Sequence, residues 1–438
     1  MNAALILLSA PPSHLPGTLL PRGFFLALGV IYLTALALDH LASRWRLPGA
    51  AAVLLLGLAL PTDVVSQAHV LGALQVETLH RVSLALLIFY AGLRTDLRQV
   101  RGAALTGLLL GSLGVLLTLV ITALALLGLA PFFLAGLPVS AALLSVCCLG
   151  ATDSGAIEDL IVGLHHSVSH RLRHLLEFEA AVNTVATLLG FGFMAALLQV
   201  SSHGGHQALH APFVSRLPSQ AETVGLHFVA GVVAGIAVGL LAPRLIDALV
   251  RSAQQLLLVA VALAFVSYGF GQLLGGGGLL AVFVSGVFLS NGHYRIGRFE
   301  QDHIARVMQP FNSAAEINVL LLLGVLVHPF ALIPVFPLGF LLALVLLLAR
   351  FLAVTLVMPK TSTSWHERLV VTGCGLRAAV PLALAVSMTE ELPHLLGIPP
   401  ELTEPLAAQL LSLVFVVVFT NLLLQTFLVR RVCLSTKS

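Results

Sequence analysis

Apolar runs of about 20 residues recur along this chain, and that recurrence limits what it can fold into more than any other feature. "VLLTLVITALALLGLA", residues 115–130, is one of them. Lipid offers backbone N–H and C=O groups no partner, so runs of this length must be helices. Composition agrees, with 58% hydrophobic and only 9% charged residues. Soluble domains carry about 25% charged residues, so this chain cannot cover a globule with polar surface. It reads as an all-α polytopic membrane protein. The formal charge of +3 is too small to point to nucleic acid, and none is expected as a partner. Cys147, Cys148, Cys374 and Cys433 show neither metal-site nor secreted-disulfide spacing, so reduced, buried thiols are expected.

Spans are read near 24–43, 49–62, 80–96, 102–128, 137–163, 172–200, 222–247, 253–272, 277–291, 304–327, 332–358, 366–389 and 404–429, thirteen in all, the second one short. With the N-terminus outside, seventeen Lys and Arg residues fall in cytoplasmic segments, and only Arg22, Arg81 and Arg216 fall outside. That is a strong positive-inside bias, and it puts the C-terminus in the cytoplasm. The N-terminus lacks a cleaved-signal pattern, so the first span is read as retained. Residues 1–438 read as one transmembrane domain with no soluble domain, the longest polar connection being an outer loop near 201–221.

Two spans are interrupted. The fifth carries "CLGATDSGAIEDL" (148–160), with Gly150 and Gly155 flanking Thr152 and Asp153. The twelfth carries "TGCGLRAAVPLAL" (372–384), with Gly373, Gly375 and Pro381 around Arg377. Glycine and proline weaken the intrahelical ladder. A broken ladder at membrane depth is tolerated only inside protein or along a water-filled cavity. The two spans are seven apart, so they cross in opposite directions, as in an inverted repeat. Paired interruptions of this kind point to a transporter's binding site. Close helix packing alone would also use such glycines, but each break here also carries a central charge.

Asp153, Glu179, Glu316, Arg350 and Arg377 fall inside spans, where a charge costs about 2.5–3.5 kcal/mol or more. Each must be paired or line water. Asp153 sits at the fifth-span break, where freed carbonyls and the Thr152 hydroxyl help to ligate a cation. A carboxylate so placed holds a proton or a desolvated cation, not both well. A purely structural reading makes Asp153 the cap of a half-helix. Glu179 has Asn183 one turn later on its face, and Arg350 is the arginine expected to neutralise it. Glu316 either pairs with a basic group or faces the cavity. His165, His166, His170 and His174 cluster between spans five and six, as pH sensors or as a solvated connection. The outer-loop histidines His203, His206 and His210 are not read as a metal site, because the glycines between them oppose a helix. "GGGG" at 275–278 reads as a tight turn before span nine.

These residues resemble, in order, the motifs of the monovalent cation/proton antiporter superfamily, sodium/hydrogen exchanger (NhaP-like) branch. "YAGLRTDLRQVRG" resembles the family's third-span ending. "GATDSGAIEDLIVGLHHSVSHRLRHLLEFEAAVN" resembles its Thr-Asp to Glu-x-x-x-Asn block, "GGGGLLAVFVSGVFLSN" its ninth-span segment, and "CGLRAAVPLALA" its second broken helix. The resemblance runs from about residue 25 to 430. It implies the Na+/H+ antiporter fold, with inverted repeats and two discontinuous crossed helices. It also implies a homodimer in a bacterial plasma membrane, with interleaved dimerisation and core subdomains and an elevator-like motion. Thr152 and Asp153 match the family's ion site, Glu179 and Asn183 the residues that stabilise it, Arg350 the arginine facing that glutamate, and Arg377 the arginine of the second broken helix. The expected activity is exchange of sodium or potassium for protons by a carrier rather than an enzyme, with no cofactor and no metal.

The sequence departs from the family at one telling position. The usual Asn-Asp pair is Asn183-Thr184 here, and a threonine cannot titrate near neutral pH. Asp153 would then carry the proton alone, assisted by Thr152, Asn183 and Thr184, with one proton exchanged per cation. Glu158 and Asp159 are the alternative source of a displaced acid. Loss of antiport, leaving a sensor, an interaction subunit or a carrier of another ion, is the rival expectation.

Overall fold

The computed structural model describes residues 24–45, 47–60, 73–95, 104–134, 136–153, 155–157, 160, 168–198, 213–275, 277–292, 301–358, 363–397 and 399–435. Helices fall on every segment read as a span, and no strand occurs among the described residues. They are α1 (Phe24–Arg44), α2 (Gly49–Ala59), α3 (Ala73–Leu93), α4 (Ala104–Phe133), α5 (Val139–Cys148), α6 (His170–Leu198) and α7 (Phe213–Leu249). The chain continues through α8 (Ala253–Leu273), α9 (Gly278–Asn291), α10 (Gln301–Leu326), α11 (Pro329–Val357), α12 (Trp365–Gly373), α13 (Ala379–Leu396) and α14 (Pro400–Ser435). Among the described residues, six helices are long and apolar enough to cross a membrane, and four more are shorter apolar helices.

Several boundaries differ from the hydropathy reading. The segment read as a loop to residue 221 is helical from Phe213, and residues 201–212 lie outside the described residues. Likewise α3 begins at Ala73 rather than near residue 80. Polar side chains end an apolar run without ending the backbone ladder, so hydropathy sees the shorter element.

The helices pack as two groups. One holds α1–α3 and α7–α10, with α3 lying against α9 and α10. The other holds α4–α6 and α11–α14, with α11 lying against α4 and α14. Spans four to six and eleven to thirteen, the two sets seven apart, thus make up the second group. Glycine sets the closest approach in the first. A Cβ on Gly57 of α2 would sit 2.7 Å from Leu321 O and 2.9 Å from Gly324 Cα of α10. Small residues let helix backbones touch where lipid gives no hydrophobic drive to associate. Before α9, Gly275 takes φ +130° in the glycine turn, a conformation strained for other residues.

Both interruptions are real breaks. α5 ends at Cys148, residues 151–153 run without helix, and helix resumes at 155–157. α12 ends at Gly373 and α13 starts at Ala379. Pro381 falls in the first turn of α13, where a missing N–H costs nothing because the first N–H groups have no intrahelical acceptor. The glycines, rather than the proline, therefore accompany the break. At its other end α12 is set by a full capping box between Ser364 and Glu367. All four cysteines are free thiols, three of them buried.

Candidate functional site

The two breaks cross and bond to each other. Asp153 N–H donates to Leu376 O at 2.8 Å. In return, Arg377 Nε donates to Leu149 O at 2.6 Å, and its Nη1 reaches Gly375 O at 3.3 Å. Arg377 is almost fully buried, at 1% exposure. It places its cation where α5 ends, at the negative pole of a helix. Asp153 does the converse. Its Oδ1 accepts from Gly155 N–H (2.9 Å) and Ala156 N–H (3.3 Å), and its Oδ2 from Ala379 N–H (3.1 Å). The carboxylate thus sits at the positive ends of two half-helices from the two repeats. The capping role is present, and it spans both breaks.

Thr152, Asn183 and Thr184 are all buried, Thr152 directly before Asp153 and Thr184 directly after Asn183. Asn183 Nδ2 donates to Thr152 Oγ1 at 3.0 Å, and Thr187 Oγ1 donates to Asn183 Oδ1 at 3.2 Å. Thr184 Oγ1 donates to Ala180 O at 2.9 Å, so its proton is spent on its own helix. Only its lone pairs remain for a cation. Thr187 was not singled out from sequence, although its place one turn after Asn183 signals it.

Arg350 and Glu179 form a bidentate pair, Nη1 to Oε1 and Nη2 to Oε2, both at 2.9 Å. Glu179 is fully buried and Arg350 nearly so. Such pairs are geometrically specific as well as strong. Arg350 Nη2 also donates to Val371 O at 3.3 Å, which ties the pair to α12. Two glycines make room for it. Gly111, in a π-helical turn of α4 (Leu110–Gly114), lies against α6, and a Cβ there would be 2.8 Å from Glu179 O. A Cβ on Gly375 would run into the Arg350 guanidinium. Gly375→Ala is therefore expected to displace Arg350 and lower the unfolding midpoint of detergent-purified protein. An unchanged midpoint would contradict this packing.

Glu316 of α10 is half-buried and lies near the Asp153 turn, as does the buried Asn312 one turn before it. Glu158, with Asp159, lies outside the described residues. The same holds for His165, His166, His203, His206 and His210. His174 stands 3.6 Å from Glu177, which also pairs with Arg173 (3.2 Å) and with Arg94, the residue directly after α3 (2.8 Å). Arg94, one of the seventeen basic residues of the cytoplasmic segments, thus links the two helix groups. No cluster of three or more metal-ligating His, Cys, Asp or Glu side chains occurs among the described residues.

Residues 29–434 match the transmembrane sodium/hydrogen exchanger family. The chain belongs to that family, on its NhaP-like branch. The K(+)/H(+) antiporter NhaP2 of Shewanella sp. (strain MR-4) is 32% identical over 349 residues, 78% of this chain and 55% of that protein. The K(+)/H(+) antiporter NhaP of Alkalimonas amylolytica is 26% identical over 382 residues, 86% of this chain and 61% of that protein. This family member thus spans little more than half the length of the curated relatives it matches. The structure of the sodium proton antiporter MjNhaP1 from Methanocaldococcus jannaschii at pH 8 superimposes with a TM-score of 0.74. It is 19% identical, with 93% of this chain and 97% of that chain covered, and it shows that the folds are alike.

Proposed function

We propose that this protein is a secondary-active antiporter exchanging a monovalent cation for a proton across a bacterial plasma membrane. The supporting observation is the Asp153 carboxylate at the crossing of the two broken helices. Its two oxygens offer about four lone-pair sites. Three N–H bonds occupy them, leaving one on Oδ2. That remaining site takes a proton or a cation in turn, which is the competition exchange requires. Thr152, Asn183 and Thr184 assist, while the Glu179–Arg350 pair and Arg377 hold the crossing. One titrating carboxylate implies one proton per cation and an electroneutral cycle. The two helix groups suit an elevator-like displacement of one past the other, in a homodimer. The relatives' names speak for potassium, and that of the structural neighbour speaks for sodium.

A second reading rests on Thr184, which cannot titrate and already spends its hydroxyl proton on Ala180 O. On that reading the fold persists without antiport, as a sensor, an interaction subunit or a carrier of another ion. Proteoliposomes with an imposed pH gradient and a trapped pH-sensitive dye separate the two. Antiport predicts dissipation of the gradient on adding sodium or potassium, at a rate that clamping the membrane potential leaves unchanged. No response to sodium, potassium or lithium would favour the second reading.

A further inference from the structure

A methyl group placed on Gly155 would lie 3.3 Å from Asp153 Oδ1, 3.6 Å from Asn312 Nδ2 and 3.7 Å from Glu316 Oε2. The absent side chain of Gly155 thus marks a point that three polar groups approach together. Two of them come from α10, in the other helix group. Asn312 and Glu316 are one turn apart and so share a face of that helix. Asp153 alone has too little free coordination to hold a desolvated cation, since backbone N–H groups take three of its sites. Monovalent cations bind through several oxygens, so Asp153 needs further oxygen ligands. Thr184 offers only a neutral hydroxyl oxygen, whose proton goes to Ala180 O. Glu316 is the acid that the geometry brings to the Asp153 turn from across the seam.

We propose that Glu316 is a second carboxylate ligand of the exchange site, supplied from α10 with Asn312 as its neutral neighbour, while Asp153 remains the group that exchanges the proton. The site is then built from both helix groups, and its cation is shared between a ligand on each. Movement of one group past the other changes the Glu316–Asp153 separation, which couples cation release to displacement. This proposal rests on the antiport reading for its meaning, and its test does not.

The test uses purified full-length protein and the chloride salts of sodium, potassium and lithium. Wild type, Glu316→Gln and Glu316→Asp are compared by the rise in unfolding temperature with cation concentration, and in proteoliposomes by the cation concentration giving half-maximal proton movement. Glu316→Gln is expected to raise the half-saturating cation concentration at least about tenfold in both assays, equivalent to about 1.4 kcal/mol. Glu316→Asp is expected to recover most of it. A purely structural glutamate would lower the unfolding temperature without moving the half-saturating concentration. Equal cation-dependent stabilisation of wild type and Glu316→Gln overturns the proposal, as does an absence of stabilisation in wild type. Loss of stabilisation in Glu316→Gln supports it even in a protein that moves no protons. Absence of proton movement in wild type counts against antiport alone.

Discussion

Arg350→Ala is expected to destabilise the protein by about 3–5 kcal/mol, the cost of leaving one partner of a buried ion pair uncompensated. The structure makes this case severe. Glu179 is fully buried, and both its oxygens accept from Arg350. Removing the guanidinium also takes a donor from Val371 O, the link to α12. Native stabilities are only about 5–15 kcal/mol, so a loss on this scale is expected to cut the yield of folded protein and sharply lower its unfolding midpoint. The double variant Glu179→Met, Arg350→Met is expected to recover much of the loss, because it leaves no unpaired charge. A cost under about 1 kcal/mol for Arg350→Ala, as for an exposed pair, would contradict a structural role.

Asp153→Asn is expected to reduce cation-driven proton movement at least about 100-fold, about 2.7 kcal/mol on the transport barrier, because an amide cannot carry the exchanged proton. An asparagine keeps one acceptor oxygen for Gly155 and Ala156. Its amide then faces Ala379 N–H, donor against donor, so the crossing itself loses a bond. An unmade buried hydrogen bond costs about 1–3 kcal/mol, less than the Arg350 variant loses, so the protein is expected to purify folded and silent. Intact proton movement in this variant would remove Asp153 from its role and return attention to Glu158 and Asp159.

Much of this site was legible in sequence because membranes make charge and glycine expensive. Asp153 and Arg377 stood out as charges beside helix-breaking residues, and the structure crosses the two breaks. The Glu179–Arg350 pair followed from the same economy: each was a buried charge in need of an opposite one. Other features left no such trace. The π-helical turn at Leu110–Gly114 comes from a local ladder shift that apolar residues do not signal. Gly375 looked like a helix breaker, while its packing role is to clear the Arg350 side chain. Arg94 pairs with Glu177, and Asn312 approaches Gly155, across the seam between helix groups, a tertiary relation that no local pattern encodes. The extent of α7 was missed because hydropathy reports where apolar residues stop, not where the hydrogen-bond ladder stops.

Cation and proton move in exchange through one site on the antiport reading. Its most direct test is the simultaneous measurement, in the same proteoliposomes, of radiolabelled cation uptake and proton release. Opposed fluxes in a constant one-to-one ratio, saturating together with cation concentration, are expected. Cation uptake without matching proton release, or a ratio that drifts with membrane potential, would contradict it.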